Sequence, residues 1–235
     1  MKGKLYLIPS TLGEDSPLNV LPPIIPQIID HLKHFIVEDV RTARRFLKKV
    51  SPGIIIDELS FQILNEHTQP EEIPALLQPL KNGNDAGLLS EAGLPCVADP
   101  GSKLVGYAHE NGIKVIPLTG PSSIFLALMA SGFNGQNFVF HGYLPVDKKE
   151  RLQKIRELEA AAYQKDQTQI FIETPYRNQQ MLEALIQGCR PQTKICIAID
   201  LTLPGEKIFS GTASQCHVYK TMDLRKKPAV FLLYH

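Results

Sequence analysis

Short apolar runs of strand length alternate with amphipathic stretches of helical period from one end of the chain to the other. No other feature narrows the fold as much, because strands that recur after helices point to an α/β architecture with largely parallel sheets. In the first half, residues 4–8, 34–38, 53–56, 86–89 and 114–118 read as strands. Between them, Ala43, Phe46, Leu47 and Val50 recur at i, i+3, i+4 and i+7, and Ile73, Leu76, Leu77 and Leu80 repeat that spacing. Leu104, Val105 and Ala108 mark a third helix that stops at Asn111-Gly112, a favoured left-handed ending. A fourth helix, residues 122–130, is apolar on almost every side and is expected to be buried between layers.

Further along, residues 138–141, 169–173, 194–199, 207–211 and 229–234 read as strands, with helices over 149–163 and 177–187. The later strands follow one another with little helix between them, which predicts a mixed, partly antiparallel sheet. The expected fold class is therefore α/β in two domains. Residues 1–118 form a mainly parallel sheet with helices on both faces, and residues 119–235 form a mixed sheet with helices. A length of 235 residues lets each half bury its own core.

Twenty-five basic and 24 acidic side chains leave a net charge of +1, so no global field draws the chain to polyanions or acidic membranes. The balance is uneven. Residues 1–122 carry 11 basic and 14 acidic side chains, residues 123–235 carry 14 and 10, and a polyanionic substrate would sooner meet the second half. Cys96, Cys189, Cys196 and Cys216 lack the close pairs of a zinc site and the density of a disulfide scaffold, so they read as reduced structural thiols. His31, His34, His67, His109, His141, His217 and His235 form no H-E-x-x-H pattern, and no metal is expected. No apolar run approaches the length of a membrane span or a secretory segment, which gives the expectation of a cytoplasmic protein without a membrane partner.

In open α/β sheets, ligands collect beyond the carboxyl ends of the strands. Five predicted strand ends carry unusual loops: Pro9-Ser10-Thr11-Leu12-Gly13, Glu38-Asp39-Val40-Arg41, Ser90-Glu91-Ala92-Gly93-Leu94-Pro95, Thr119-Gly120-Pro121-Ser122-Ser123 and Glu173-Thr174-Pro175-Tyr176-Arg177. Glycine at such turns lets backbone approach a ligand. Helix capping competes with that reading at Asp99-Pro100, Thr174-Pro175 and Ser122. No G-x-G-x-x-G follows the first strand and no G-K-[ST] occurs, so nucleotide cofactors of those classes lose ground, and G-x-S-x-G is absent as well. Cys96, between Pro95 and Val97, reads as buried rather than nucleophilic. Arg41 and Arg44 begin a cationic helix, either a solvated face or a phosphate-facing substrate edge. Lys148, Lys149, Arg151, Lys154 and Arg156 are mixed with glutamates on an exposed helix, and Arg225-Lys226-Lys227 reads as a solvated turn.

Taken in order and spacing, Ser90 to Pro95, then Ala98-Asp99-Pro100-Gly101, then Pro117 to Ser123, then Ala130-Ser131-Gly132, resemble the tetrapyrrole methylase superfamily. They are most similar to its branch of small-subunit ribosomal RNA ribose 2'-O-methyltransferases, and the loops at Glu38 and Glu173 are similar to two further motifs of that branch. The resemblance spans about residues 4 to 200. It implies a two-domain fold, a homodimer, and S-adenosylmethionine held in a cleft between the domains. On it, the cofactor positions are Ser90, Glu91, Ala92, Gly93, Pro95, Asp99, Gly120, Pro121, Ser122, Ser123, Ser131 and Gly132. Substrate positions are Arg41, Arg44 and Arg177.

The sequence departs from the family pattern in places. The first loop, commonly P-x-P-I-G-N, here reads Pro9-Ser10-Thr11-Leu12-Gly13-Glu14; S-D-A-G-T-P has become Ser90 to Pro95 with Glu91 and Leu94; and R-E-L-T-K is replaced by residues around Asp200-Leu201-Thr202-Leu203. The implied activity is methyl transfer from S-adenosylmethionine, which aligns acceptor, methyl and sulfur in line. A ribose hydroxyl of small-subunit ribosomal RNA leads as acceptor, with ribosomal RNA or the small subunit as partner. A tetrapyrrole or other small molecule, a protein substrate, and a non-catalytic cofactor- or RNA-binding relative are the alternatives. A hydroxyl acceptor must lose a proton, and Glu38, Asp39 and Glu173 are the candidate catalytic carboxylates. Glu91 suits polar groups and the positive sulfonium of the cofactor.

Overall fold

A computed structural model describes residues 1–13, 18–216 and 224–235. Glu14 of the first loop and His217 lie outside the described residues. The chain divides into two compact units, 1–122 and 123–235.

The first unit runs β1 (Lys4–Ile8), α1 (Ile24–His31), β2 (His34–Val37), α2 (Val40–Val50), β3 (Ser60–Ile63), α3 (Ile73–Leu76), α4 (Gln78–Lys81), β4 (Ala86–Leu89), α5 (Gly101–Glu110) and β5 (Lys114–Pro117). Its five strands pair only in parallel, in the order β3-β2-β4-β1-β5. Central β4 is buried along its whole length, as a strand covered on both faces must be. Side-chain alternation splits the core between those faces. Leu5, Ile36 and Leu88 pack with Ile73, Leu76, Leu80, Leu104 and Ala108 from α3, α4 and α5. Ile8, Phe35, Val37 and Leu89 pack with Ile25, Ile29, Ala43 and Leu47 from α1 and α2.

Connections leaving β1 and β2 travel toward the β3 edge, whereas those leaving β3 and β4 travel toward β5. The helices change face at that divide. The topology therefore opens a crevice at the carboxyl ends where β4 neighbours β1 and β2, the place where an open α/β sheet binds ligands.

The second unit runs α6 (Ser123–Ser131), β6 (Phe138–Tyr143), α7 (Lys148–Lys165), β7 (Thr168–Ile172), α8 (Asn178–Gly188), β8 (Lys194–Ile199), β9 (Lys207–Thr212) and β10 (Ala229–Tyr234). Its sheet has the order β6-β7-β10-β8-β9, with β6 and β7 parallel and the other neighbours antiparallel, the expected mixed sheet. Phe171, Ile195, Ile197 and Phe231 pack with Ile155, Leu158, Met181, Leu182 and Leu185 of α7 and α8.

Four expectations need correction. Residues 53–56 form no strand: Ile54 turns inward, Ile55 is 59% exposed, and a 3-10 turn follows at Ile56–Glu58 before β3 begins. The 73–80 helix is two short ones, because Pro79 cannot donate the amide that a continuous helix requires. Helix α1 had no expected counterpart. In α6, Ile124, Ala127 and Leu128 are buried, but Phe125 and Met129 are 51% and 78% exposed, so only one side of this apolar helix is covered. No helix of the described residues is long and apolar enough to cross a membrane.

Candidate functional site

The crevice holds a cavity of about 380 Å³. It is lined by the loop after β1 (Ser10 to Gly13), by Val37 and Glu38 at the end of β2, by Thr42, Ala43, Arg45, Phe46 and Lys49 of α2, and by Leu89 to Ala92 at the end of β4. Its volume lies within the range of small-molecule sites.

Hydrogen bonds tie these loops together. The Ser10 amide donates to the Gly93 carbonyl at 2.8 Å, and the Ser10 hydroxyl donates to the Ser90 carbonyl at 2.8 Å. Gly93 sits at φ +74°, where a Cβ would stand 3.1 Å from Leu12 and 3.4 Å from the Pro121 carbonyl. Gly120 is closer still: a Cβ there would lie 2.1 Å from that of Pro9. Both glycines are required by this convergence of the loops after β1, β4 and β5.

Two carboxylates face this network differently from a third. Glu38 accepts from the Glu91 amide at 3.2 Å. Burial raises its carboxyl above the usual range, that amide bond opposes the rise, and the nearby charges of Asp99 and Glu91 add to it. Glu91 accepts from the Thr42 hydroxyl at 2.7 Å. Asp39 instead caps α2, accepting from the Thr42 amide at 2.8 Å, and that bond first of all lowers its carboxyl. Asp39 is thus committed to the helix start, while Glu38 lines the cavity.

Asp99 accepts from the Gly101 and Cys96 amides at 2.7 and 2.9 Å just ahead of α5, whose N-cap is Pro100 and not Asp99 as expected, and burial raises its carboxyl. Burial, and then the charge of Asp99, push the Cys96 thiol up to about 12, which leaves no thiolate nucleophile at neutral pH. Pro95 and Pro121 are buried, and Ser122 ends the first unit. Arg41 is exposed on α2, and Arg44 pairs with Asp57 at 2.8 Å.

Ser123, Ser131, Gly132, Glu173 and Arg177 belong to the second unit. Ser131 accepts from the Phe133 amide at 3.0 Å and donates to the Leu128 carbonyl, closing α6, and Gly132 at φ +74° supplies the left-handed stop. Glu173 is buried, accepting from the Thr174 amide at 2.6 Å and from Arg177 Nε and Nη2 at 2.9 and 2.5 Å. Thr174-Pro175 does not open a helix: α8 starts at Asn178, after a turn in which the Arg177 amide donates to the Thr174 carbonyl.

Sequence reasoning placed Ser10 in a candidate ligand loop without giving it a role, and assigned no site role to Thr42, Arg45, Phe46 and Lys49, all of which line the cavity. The last four share one helical face at i, i+3, i+4 and i+7, a signal hidden because Phe46 also fits the core-facing stripe of α2.

The family model for Tetrapyrrole (Corrin/Porphyrin) Methylases matches residues 24–216. Among curated relatives, a protein of Mesorhizobium japonicum named Ribosomal RNA small subunit methyltransferase I is 34% identical over 210 residues, covering 88% of this chain and 67% of its own length. A protein of the same name from Leptospira borgpetersenii is 33% identical over 97% of this chain and 85% of its own. The methyltransferase CobJ superposes with a TM-score of 0.66 at 16% identity, covering 99% of this chain and 94% of that one. Uroporphyrin-III C-methyl transferase from Thermus thermophilus, solved with S-adenyl homocysteine, gives 0.60 at 16% identity over 99% and 98%. At such identities the structural likeness concerns the fold. With the family model matching most of its length, this chain belongs to the tetrapyrrole (corrin/porphyrin) methylase family.

Proposed function

We infer that this protein is an S-adenosylmethionine-dependent methyltransferase whose acceptor is a ribose 2'-hydroxyl of small-subunit ribosomal RNA. Curated relatives named Ribosomal RNA small subunit methyltransferase I, alignable over 88% and 97% of the chain, are the observation that carries the acceptor class.

The loops of the first unit suit the cofactor chemically. Gly93 and Gly120 clear side chains from the convergence of three loops, the hydroxyls of Ser10 and Ser90 supply polar partners, and the Glu38 and Glu91 carboxylates supply negative charge. S-adenosylmethionine, when bound, supplies a methyl group activated by a positive sulfonium. Ser90, Glu91, Ala92 and Gly93 are the residues assigned to hold it, with Pro95, Asp99, Gly120, Pro121 and Ser122 supporting their loops. Glu38 is assigned as the general base that takes the acceptor hydroxyl's proton, because burial makes its carboxylate more basic while Asp39 is held in a helix cap. Phe46 and Leu89 give the cavity an apolar wall that helps exclude water.

Calorimetric titration with S-adenosylmethionine and its demethylated product tests the reading, alongside Gly93→Val. Saturable binding to the parent, lost in the variant, is expected. A parent that binds neither compound contradicts the assignment.

A further inference from the structure

We propose that the second unit carries a single-stranded RNA subsite in which Tyr176 stacks on an unpaired base and the Arg225-Lys226-Lys227 turn, with Arg177, holds the adjoining phosphates. The inference rests on the ribosomal RNA reading and deepens it.

In the sequence the loop after β7 and the turn before β10 lie about fifty residues apart, and the structure bolts them together. The Lys226 amide donates to the Pro175 carbonyl at 3.0 Å, and the Asn178 side-chain amide donates to the Lys227 carbonyl at 2.6 Å. Between those fixed points stands Tyr176, a large aromatic side chain left 75% exposed. An exposed tyrosine in a polar loop contributes little to folding, and its flat ring is the kind of surface on which unpaired bases stack.

Glu173 is buried with its Oε1 accepting from Arg177, whose side chain is 23% exposed. Asp200 pairs with Lys227 at 3.2 Å. Among the described residues, Glu173 and Asp200 each have a cationic partner, and Arg225 and Lys226 are exposed on the turn whose Lys226 amide is bonded to the Pro175 carbonyl. Lys226 is also held at φ +60°, a conformation that costs a lysine energy and suits glycine or asparagine better. A cation fixed at a costly backbone position, on a turn bonded to the loop that carries an exposed aromatic ring and in the more basic half of the chain, fits an RNA strand better than a double helix, whose bases are already stacked.

The test measures binding of a labelled, unpaired RNA oligonucleotide about ten nucleotides long, and of a duplex of the same length, by fluorescence anisotropy. Tyr176→Ala is expected to weaken single-strand binding by roughly tenfold while Tyr176→Phe stays within about twofold, and neither changes duplex binding. Lys226→Gly relieves the backbone and removes the cation, so it folds at least as well; it is expected to weaken binding roughly threefold and to flatten the salt dependence by about 0.7 in log–log slope. Wild-type affinity in Tyr176→Ala, or equal loss toward single strand and duplex, overturns the proposal, as does a parent that does not bind the strand. Methyl transfer by the parent to small ribosomal subunits is measured in parallel. Transfer with no role for Tyr176 in RNA binding defeats the subsite alone, and no transfer defeats the functional reading.

Discussion

The Thr42 hydroxyl donates to Glu91 Oε1 at 2.7 Å, joining the first turn of α2 to the loop that follows β4. The same threonine is the residue whose amide Asp39 caps, so one side chain couples a helix start to the lining of the cavity. Thr42→Val keeps the shape and removes the bond. It should cost about 1 kcal/mol of stability in urea unfolding. A loop less well ordered before binding should also raise the cofactor dissociation constant roughly fivefold.

Glu38 gives a pH signature. Burial raises its folded-state carboxyl above the unfolded value, so its contribution to stability is fully present below about pH 4 and is lost as pH rises through the raised value. Glu38→Gln stays neutral and retains an acceptor for the Glu91 amide. The variant should be more stable than its parent at pH 7, with the advantage vanishing toward pH 4. Its methyl transfer should fall roughly a hundredfold, the usual loss when a general base is removed.

At Gly120 the limit is space. An alanine Cβ would stand 2.1 Å from Pro9 Cβ and 2.4 Å from its Cγ, so Gly120→Ala should cost roughly 1–3 kcal/mol and weaken cofactor binding as the first loop is displaced. Gly53→Ala, with nothing within 4 Å, is the control and should change stability by less than about 0.5 kcal/mol.

The thiols should be inert. Burial pushes Cys96, Cys196 and Cys216 up to about 12, and burial together with the Glu159 and Cys216 charges pushes Cys189 up as well. Iodoacetamide at pH 8 should leave all four unmodified in the native protein and label all four in concentrated urea, read by mass spectrometry.

The parallel sheet was legible because β1 and β4 are short apolar runs, and β4 is buried throughout as a strand covered on both faces must be. Strand β3 was not, since it lies at the sheet edge with Ser60 and Ile63 exposed and lacks an apolar run, while the three consecutive isoleucines just before it mimic one. Helix α1 was masked by Pro22, Pro23 and Pro26, which read as breakers but sit at or before its first turn, where proline needs no amide partner. At the site, Ser90 to Gly93 and Glu38 stood out by motif. Ser10 and Thr42 did not, because their roles lie in hydrogen bonds to residues tens of positions away, which no local spacing encodes.

The most direct measurement incubates the protein with methyl-labelled S-adenosylmethionine and small ribosomal subunits, then hydrolyses the recovered RNA with alkali. Alkaline cleavage needs a free 2'-hydroxyl, so label on a ribose survives in an alkali-resistant dinucleotide, and that is the expected product. Absence of label from RNA, or label confined to mononucleotides or to protein, would contradict the account.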